Sequence, residues 1–272
     1  MALLNKYHLA TVRPVIDTEP NVAFTADDVL FDWTAFEVPR GGCALRSISA
    51  IIPGTDATAA NGGLQMDLYF ATTFNGTAPT TLGNTNAAMN VISATANKNH
   101  IIHMVSLLGS EMEDSLDGMV GFNVLGKGAV TSATTSGPTG LVILQGDTEY
   151  TGTTKGYQTI WVAGVAQGGY NFGTNCLLDG QILTGAAGAQ TLDVSEDADA
   201  DDLFAIGDEL LAAANDGSSV QTIGTVTALT ADTITVDAKD INGTTVWASG
   251  ALADDDEICY RRPITLRLGL EY

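Results

Sequence analysis

The chain has 272 residues, 45% of them hydrophobic, which is enough for one large domain or two smaller ones with a sizeable core. Its formal net charge of −21 argues against binding to nucleic acids and to anionic membrane surfaces, because both are themselves densely negative. Thirty glycines and many short β-branched runs between Gly, Asn and Asp residues predict an all-β protein rich in turns.

Candidate strands follow one another from residue 6 to residue 175. They are HLATVRPVI, NVAFT, LFDWTAFEV, CALRSISAII, LQMDLYFATT, HIIHMVSLL, MVGFNVLG, GLVILQG and QTIWVAGVA. Separated by turn-rich loops, they predict a jelly-roll-like β-sandwich of two sheets. Five aromatic residues in or near these strands are expected in the core rather than on a ligand platform: Trp33, Phe36, Tyr69, Phe70 and Trp161.

The charge is concentrated in one part of the chain. Residues 176–260 contain 17 acidic residues and one basic residue, whereas the rest contains 15 acidic and ten basic residues. The net charges of the two parts are therefore −16 and −5. Such a change in composition indicates a domain boundary.

The acidic segment has its own series of short predicted strands. QILTG, QTLDV, VQTIGTVTAL, DTITVDA and DDDEICY alternate apolar and polar residues or are bounded by turns, and DADADDLFAIGDELLAAAN holds a helical turn or two beside a strand. Five or so short strands over about 80 residues favour a small closed barrel.

The chain then ends on a clean amphipathic strand, PITLRLGLEY. Ile264, Leu266, Leu268 and Leu270 share one face, which must be buried on a partner. We therefore expect residues 1–177 and 260–272 to form the sandwich, with residues 178–259 inserted as an acidic β-module. Two consecutive domains, with the last strand in the second, remain the alternative.

No pattern of catalytic chemistry is present. The sequence lacks the G-x-S-x-G, H-E-x-x-H and P-loop motifs, and the acidic EMED run at residues 111–114 is expected in a solvated loop. His100 and His103 lie in a predicted strand, where positions i and i+3 face opposite ways. Three widely spaced cysteines predict neither a disulfide framework nor a zinc site. We expect no enzyme activity and no cofactor.

One acidic run has a spacing that suggests calcium. Asp197, Asp199 and Asp201 follow the D-x-D-x-D order of a calcium-binding loop. Asp202 and Asp208 replace the Gly and Glu that such a loop requires at its sixth and twelfth positions. The interpretation preferred here is solvated charge, with the three aspartates kept as calcium candidates.

The acidic module resembles the small β-modules of structural proteins in tailed bacteriophages. The matching residues span 203–260: Phe204, Gly207, Asp208, Gly224, Thr225, Val226 and residues 255–260. The resemblance covers about a quarter of the chain, and the scarcity of Lys is similar to proteins of marine phages. It implies a virion structural protein, assembled in the host cytoplasm, that decorates or cements the capsid surface.

That role implies protein partners, namely the major capsid protein, other virion proteins and further copies of the chain in a homo-oligomer. Four basic residues are the candidate interface: Lys6 and Arg13 in the N-terminal arm, and Arg261 and Arg262 at the exit of the module. The Arg pair has a second interpretation, as a local neutraliser of the acidic run at residues 254–257.

Two other functions remain open at this point. A tail, baseplate or fibre-associated protein would use the module or the long loops to bind a host receptor, and exposed Tyr150 and Tyr157 would favour it. A secreted carbohydrate-active enzyme would need paired carboxylates in a cleft and a secretion signal, and no signal is visible.

Overall fold

The computed structural model describes residues 6–53, 64–72, 77–90, 97–108, 113–116, 119–122, 142–146, 156–180, 189–195, 199–237 and 253–272. These residues form an all-β architecture of antiparallel sheets, as predicted. A single short helix, α1 (Ala200–Leu203), lies among the described residues.

The first sheet of the sandwich has four strands in the order β1-β15-β3-β8. Their bounds are β1 Tyr7–Val12, β15 Thr265–Glu271, β3 Cys43–Ile51 and β8 Val142–Leu144. The last strand of the chain therefore lies in the middle of this sheet, hydrogen-bonded to β1 on one side and to β3 on the other. The predicted apolar face of β15 is completely buried: Ile264, Leu266, Leu268 and Leu270.

The second sheet has the order β2-β9-β4-β5. Its strands are β2 Val29–Pro39, β9 Tyr157–Ala166, β4 Met66–Ala71 and β5 Ile101–Leu107. If the eight sandwich strands are lettered B to I along the chain, the two sheets are B-I-D-G and C-H-E-F. This is the strand order of a jelly roll, which confirms the predicted sandwich.

Apolar side chains from both sheets meet in one core. A bulge at residues 46–47 of β3 brings Leu45 and Ile48 to the same face, and both share the buried cluster with Met66 and Leu68 of β4. Phe36 and Phe70 are buried there as predicted, with ring centroids 6.2 Å apart. Trp33 and Tyr69 are only partly buried and pack on a smaller cluster around Val29, Leu82 and Val165, and Trp161 is half-buried.

The acidic segment folds as a separate, five-stranded sheet with the order β10-β13-β12-β11-β14. Its strands are β10 Ala189–Asp193, β11 Glu209–Ala213, β12 Gln221–Thr230, β13 Thr233–Asp237 and β14 Glu257–Tyr260. The edges β14 and β10 are joined through residues 177–178, because Leu177 bridges to Glu257 and Leu178 bridges to Val194. Residues 177–178 thus bridge the two edges of a curled sheet, called the barrel below, which has its own buried core.

One predicted strand, NVAFT at residues 21–25, was wrong. Its Phe24 is fully buried but makes only an isolated bridge to Tyr170. The segment turns at once because the Asp28 carboxylate accepts hydrogen bonds from the Thr25 N–H at 2.6 Å and the Thr25 hydroxyl at 2.9 Å. The local polar contacts therefore override the apolar pattern.

The predicted solvated loop at residues 111–114 needs a similar correction. Glu113–Leu116 is a strand, β6, which forms a two-stranded hairpin with β7 (Met119–Phe122). The predicted strand QILTG, residues 181–185, lies outside the described residues. In the first predicted strand, β1 ends at Val12 and does not continue to Ile16.

Candidate functional site

The barrel joins the sandwich through two chain segments that run side by side. The outgoing segment is held by the Phe172 N–H, which donates to the Pro20 carbonyl at 2.9 Å. In the returning segment, the Arg261 carbonyl accepts from the Ile16 N–H, also at 2.9 Å. Because Ile258 N–H donates to the Cys176 carbonyl at 2.8 Å, the two segments are themselves paired. This junction fixes the barrel at two points.

A carboxylate of the barrel holds both arginines of the exit. Glu209 Oε2 lies 3.0 Å from Arg262 Nε and 3.3 Å from Arg261 Nη1. Arg262 Nη1 also donates to the Arg13 carbonyl at 2.7 Å, which ties the barrel to the end of β1. The structure thus pairs both arginines with Glu209, and no ion pair between them and residues 254–257 is found in the described part of the chain.

The acidic run itself stabilises the junction. The Glu257 side chain is buried, and its Oε1 accepts the Asn175 N–H at 2.9 Å. Gly173 leaves room for this carboxylate, since a Cβ there would lie 2.7 Å from Oε1. Asp254 and Asp256 accept backbone N–H groups from Gly180 and Ala253, at 2.9 and 2.7 Å. Three of these four acids therefore serve turns of the chain.

The three cysteines are free buried thiols. Burial raises the pKa of Cys43 to about 11. Burial, and secondarily the charge of Glu257, raises the pKa of Cys176 to about 12 and that of Cys259 well above its usual value. Thiols of this kind stay protonated near neutral pH and are poor nucleophiles and poor metal ligands.

The calcium candidates are only partly described. Asp197 lies outside the described residues. Asp199, at φ 44°, and Asp201, in the first turn of α1, are both exposed. In the part of the chain that the structure describes, no group of three His, Cys, Asp or Glu side chains is placed to hold a metal ion.

Three of the four predicted interface residues lie together at the junction. Besides Arg261 and Arg262, these include Arg13, whose charge lies near Asp208 of the barrel. Burial raises the pKa of Asp208, and this effect is opposed by the hydrogen bond from Ala205 and by the charge of Arg13. Lys6 is separate from them, exposed at the opposite end of β1.

The proposed receptor-binding tyrosines gain no support. Tyr150 lies outside the described residues. Tyr157 is half-buried, and its ring centroid lies 5.4 Å from that of His8. It therefore packs on β1 and does not stand on a loop tip.

Sequence reasoning missed two features of the surface. Glu209 was not singled out, because nothing in its local sequence shows that two distant arginines pack on it. The exposed pair Tyr7 and Leu9 was also missed, although the alternation in YHLATV places them on one face. Glu209 lies on β11, which pairs with β14, whereas Tyr7 and Leu9 lie on β1, which pairs with the last strand, β15.

The chain matches no known family model and no curated protein. Among solved structures it aligns with the cryo-EM structure of the T=3 Penaeus vannamei nodavirus, over 100% of this chain and 90% of that one. The identity is 9% and the TM-score is 0.12, so this alignment carries no argument about fold or function. As for membranes, no helix within the described ranges is long and apolar enough to span one.

Proposed function

We propose that the chain is a non-enzymatic structural protein of a tailed-bacteriophage virion, which decorates or cements the capsid surface through protein–protein contacts. The observation that supports this role most directly is the two-point attachment of an acidic barrel to a jelly-roll sandwich. A surface protein needs a rigid scaffold and a fixed projecting part, and it needs no reaction centre.

The charge distribution supports the same role. Most of the net charge of −21 belongs to the barrel segment. Exposed like charges keep free copies soluble before assembly and hold neighbouring barrels apart afterwards. The sandwich is nearer to neutral and is the part suited to close contact with a major capsid protein or another virion protein. Nucleic acid and membrane are not among the proposed partners.

We further propose that residues 1–177 with 260–272 fold as one domain and residues 178–259 as a second, inserted one. The separate buried cores of sandwich and barrel support this division. It places the inserted domain between the last two strands of the jelly roll.

The test is localisation on purified particles of the phage that encodes the chain. Immunogold labelling with an antibody against the barrel should mark the capsid surface. Label confined to the tail or baseplate would instead favour the receptor-binding alternative. Absence of the chain from intact particles, checked by mass spectrometry, would overturn the virion role.

The non-enzymatic part of the proposal has its own test. Purified protein is offered a panel of glycoside substrates, and no turnover is expected. Turnover that disappears with one Asp→Asn or Glu→Gln substitution in the barrel would contradict it, because catalysis of that kind needs a specific carboxylate.

A further inference from the structure

Strand β1 is an edge of the first sheet, and among the described residues its backbone pairs only with β15. Lys6 and Tyr272 exchange both backbone hydrogen bonds, at 3.1 and 2.9 Å. Bonded and non-bonded pairs alternate along an antiparallel ladder, and the β1–β15 register has no shift. The N–H and C=O groups of Tyr7, Leu9 and Thr11 therefore point away from β15, toward the open edge.

The same three residues carry the exposed side chains of β1. Tyr7 is 71% exposed and Leu9 is 60% exposed. The strand contains no Lys, Arg, Asp, Glu or Pro, which are residues that natural edge strands use to resist pairing. An added strand would satisfy the open backbone groups and cover two large apolar side chains.

This open edge is complementary to itself. The three residues whose N–H and C=O groups point toward the open edge are centred on Leu9. A two-fold axis at Leu9 would therefore pair Tyr7 of one copy with Thr11 of the other. The three facing pairs would exchange about six backbone hydrogen bonds. Two-fold contacts of this isologous kind are the commonest in homo-oligomers.

The charge around β1 weakens such a pair of copies. At a net charge of −21, most of the surface of one copy repels another copy. The edge is basic instead, because exposed Lys6 and Arg13 flank β1 and exposed Arg267 lies on the adjoining β15. In a two-fold contact this basic border meets the same border of the other copy, so like charges repel there, and added salt should strengthen the pair.

We propose that two copies of the chain pair antiparallel through β1, with Leu9 of one copy opposite Leu9 of the other. The proposal deepens the structural role proposed above and rests on it for the homo-oligomer. A single strand pair buries less than the roughly 1,200 Å² of a stable interface. The dimer is therefore weak, with a dissociation constant in the micromolar range or above.

The first test measures the mass of the full chain by light scattering over a rising series of concentrations. The mass should rise from 28.2 kDa toward twice that value. Leu9→Lys places two ammonium groups at the two-fold axis and should keep the protein monomeric. Ile206→Lys is the matched control, since Ile206 is 73% exposed on the barrel and the change in charge is the same.

Two results would overturn the proposal. One is a wild-type protein that stays at the mass of one chain at every concentration, which would leave the edge to a different protein. The other is a Leu9→Lys variant that dimerises as strongly as the Ile206→Lys control.

The second test reads the register. In the proposed pair the Cα atoms of the two Leu9 residues lie about 5.5 Å apart, within the range of a disulfide. The two Thr11 residues are offset by four positions, about 13 Å, and cannot be bridged. Under mild oxidation Leu9→Cys should form a covalent dimer and Thr11→Cys should not, because the native cysteines are buried. Equal cross-linking of both variants would contradict the antiparallel register.

The pairing and the virion role fail in different ways. A chain that dimerises through Leu9 but is absent from particles would contradict the virion role alone. A chain that is present on particles but whose wild type stays monomeric in solution at every concentration would contradict the pairing alone.

Discussion

Gly164 lies in β9 directly opposite Phe31 of β2, and the Phe31 ring occupies the space where a Cβ would stand. Both residues belong to the tightly packed interior, where added atoms force neighbours out of their preferred rotamers. We expect Gly164→Ala to lower the free energy of unfolding by about 1–3 kcal/mol. Gly168→Ala is the control, since nothing lies within 4 Å of its Cβ position. Chemical denaturation of both variants measures the difference, and equal stabilities would contradict the close contact.

The buried thiols predict a loss of stability in alkali. The pKa values of Cys43 and Cys176, about 11 and 12, lie above the value of 9.0 expected for a free thiol. The unfolded chain therefore releases these protons first, and stability is complete below pH 9 but falls as pH rises toward the folded pKa values. Each thiol contributes a slope of up to about 1.4 kcal/mol per pH unit.

A pH series of denaturation curves tests this, with Cys176→Ala as the comparison. Between pH 9 and the folded pKa of Cys176, about 12, the free energy of unfolding should decline less steeply in the variant than in the wild type. In addition, a thiol reagent at pH 8 should leave the native protein unlabelled and label all three cysteines after denaturation. Rapid labelling of the native protein would show that burial does not protect them.

At the scale of single elements, residues 177–178 are the piece that closes the barrel. Leu178 is 7% exposed and packs in the barrel core. Leu178→Ala should cost about 2–4 kcal/mol, because it leaves a cavity where the two edges meet. Ile206→Ala, at a side chain 73% exposed, should change stability by less than about 0.5 kcal/mol. Hydrogen exchange in β12 and β13 measures the effect, and unchanged protection in Leu178→Ala would contradict closure through this segment.

The elements also show what the sequence could predict. Strands with strict alternation, such as β13 and β15, lie where the pattern put them, because one buried face fixes the register. NVAFT has the same alternation and is not a strand, because the Asp28 carboxylate turns its backbone. The Glu209 contacts with Arg261 and Arg262 join residues more than 50 positions apart, and only the tertiary fold brings them together.

At the scale of the whole molecule, the inserted domain should be removable. Residues 177 and 260 lie on paired segments, as the 2.8 Å bond between Ile258 N–H and the Cys176 carbonyl shows, so a short Gly-Ser linker can replace residues 178–259. The remaining chain should keep a cooperative thermal transition, with a midpoint a few degrees lower because the junction contacts are lost. Circular dichroism and calorimetry test this, and an unfolded product would favour two interdependent domains.

The position of β15 has a mechanical consequence. A pull on the barrel reaches the sandwich through its two chain connections, and on the returning side it reaches β15 directly, since β14 leads to β15 through only four residues. The load is then shared at once by the ladders to β1 and β3 on both flanks. Extraction of β15 requires both ladders to break, whereas a strand on the edge of a sheet is held by only one ladder. The jelly roll thus holds the returning connection of its barrel by a strand that is hydrogen-bonded on both sides.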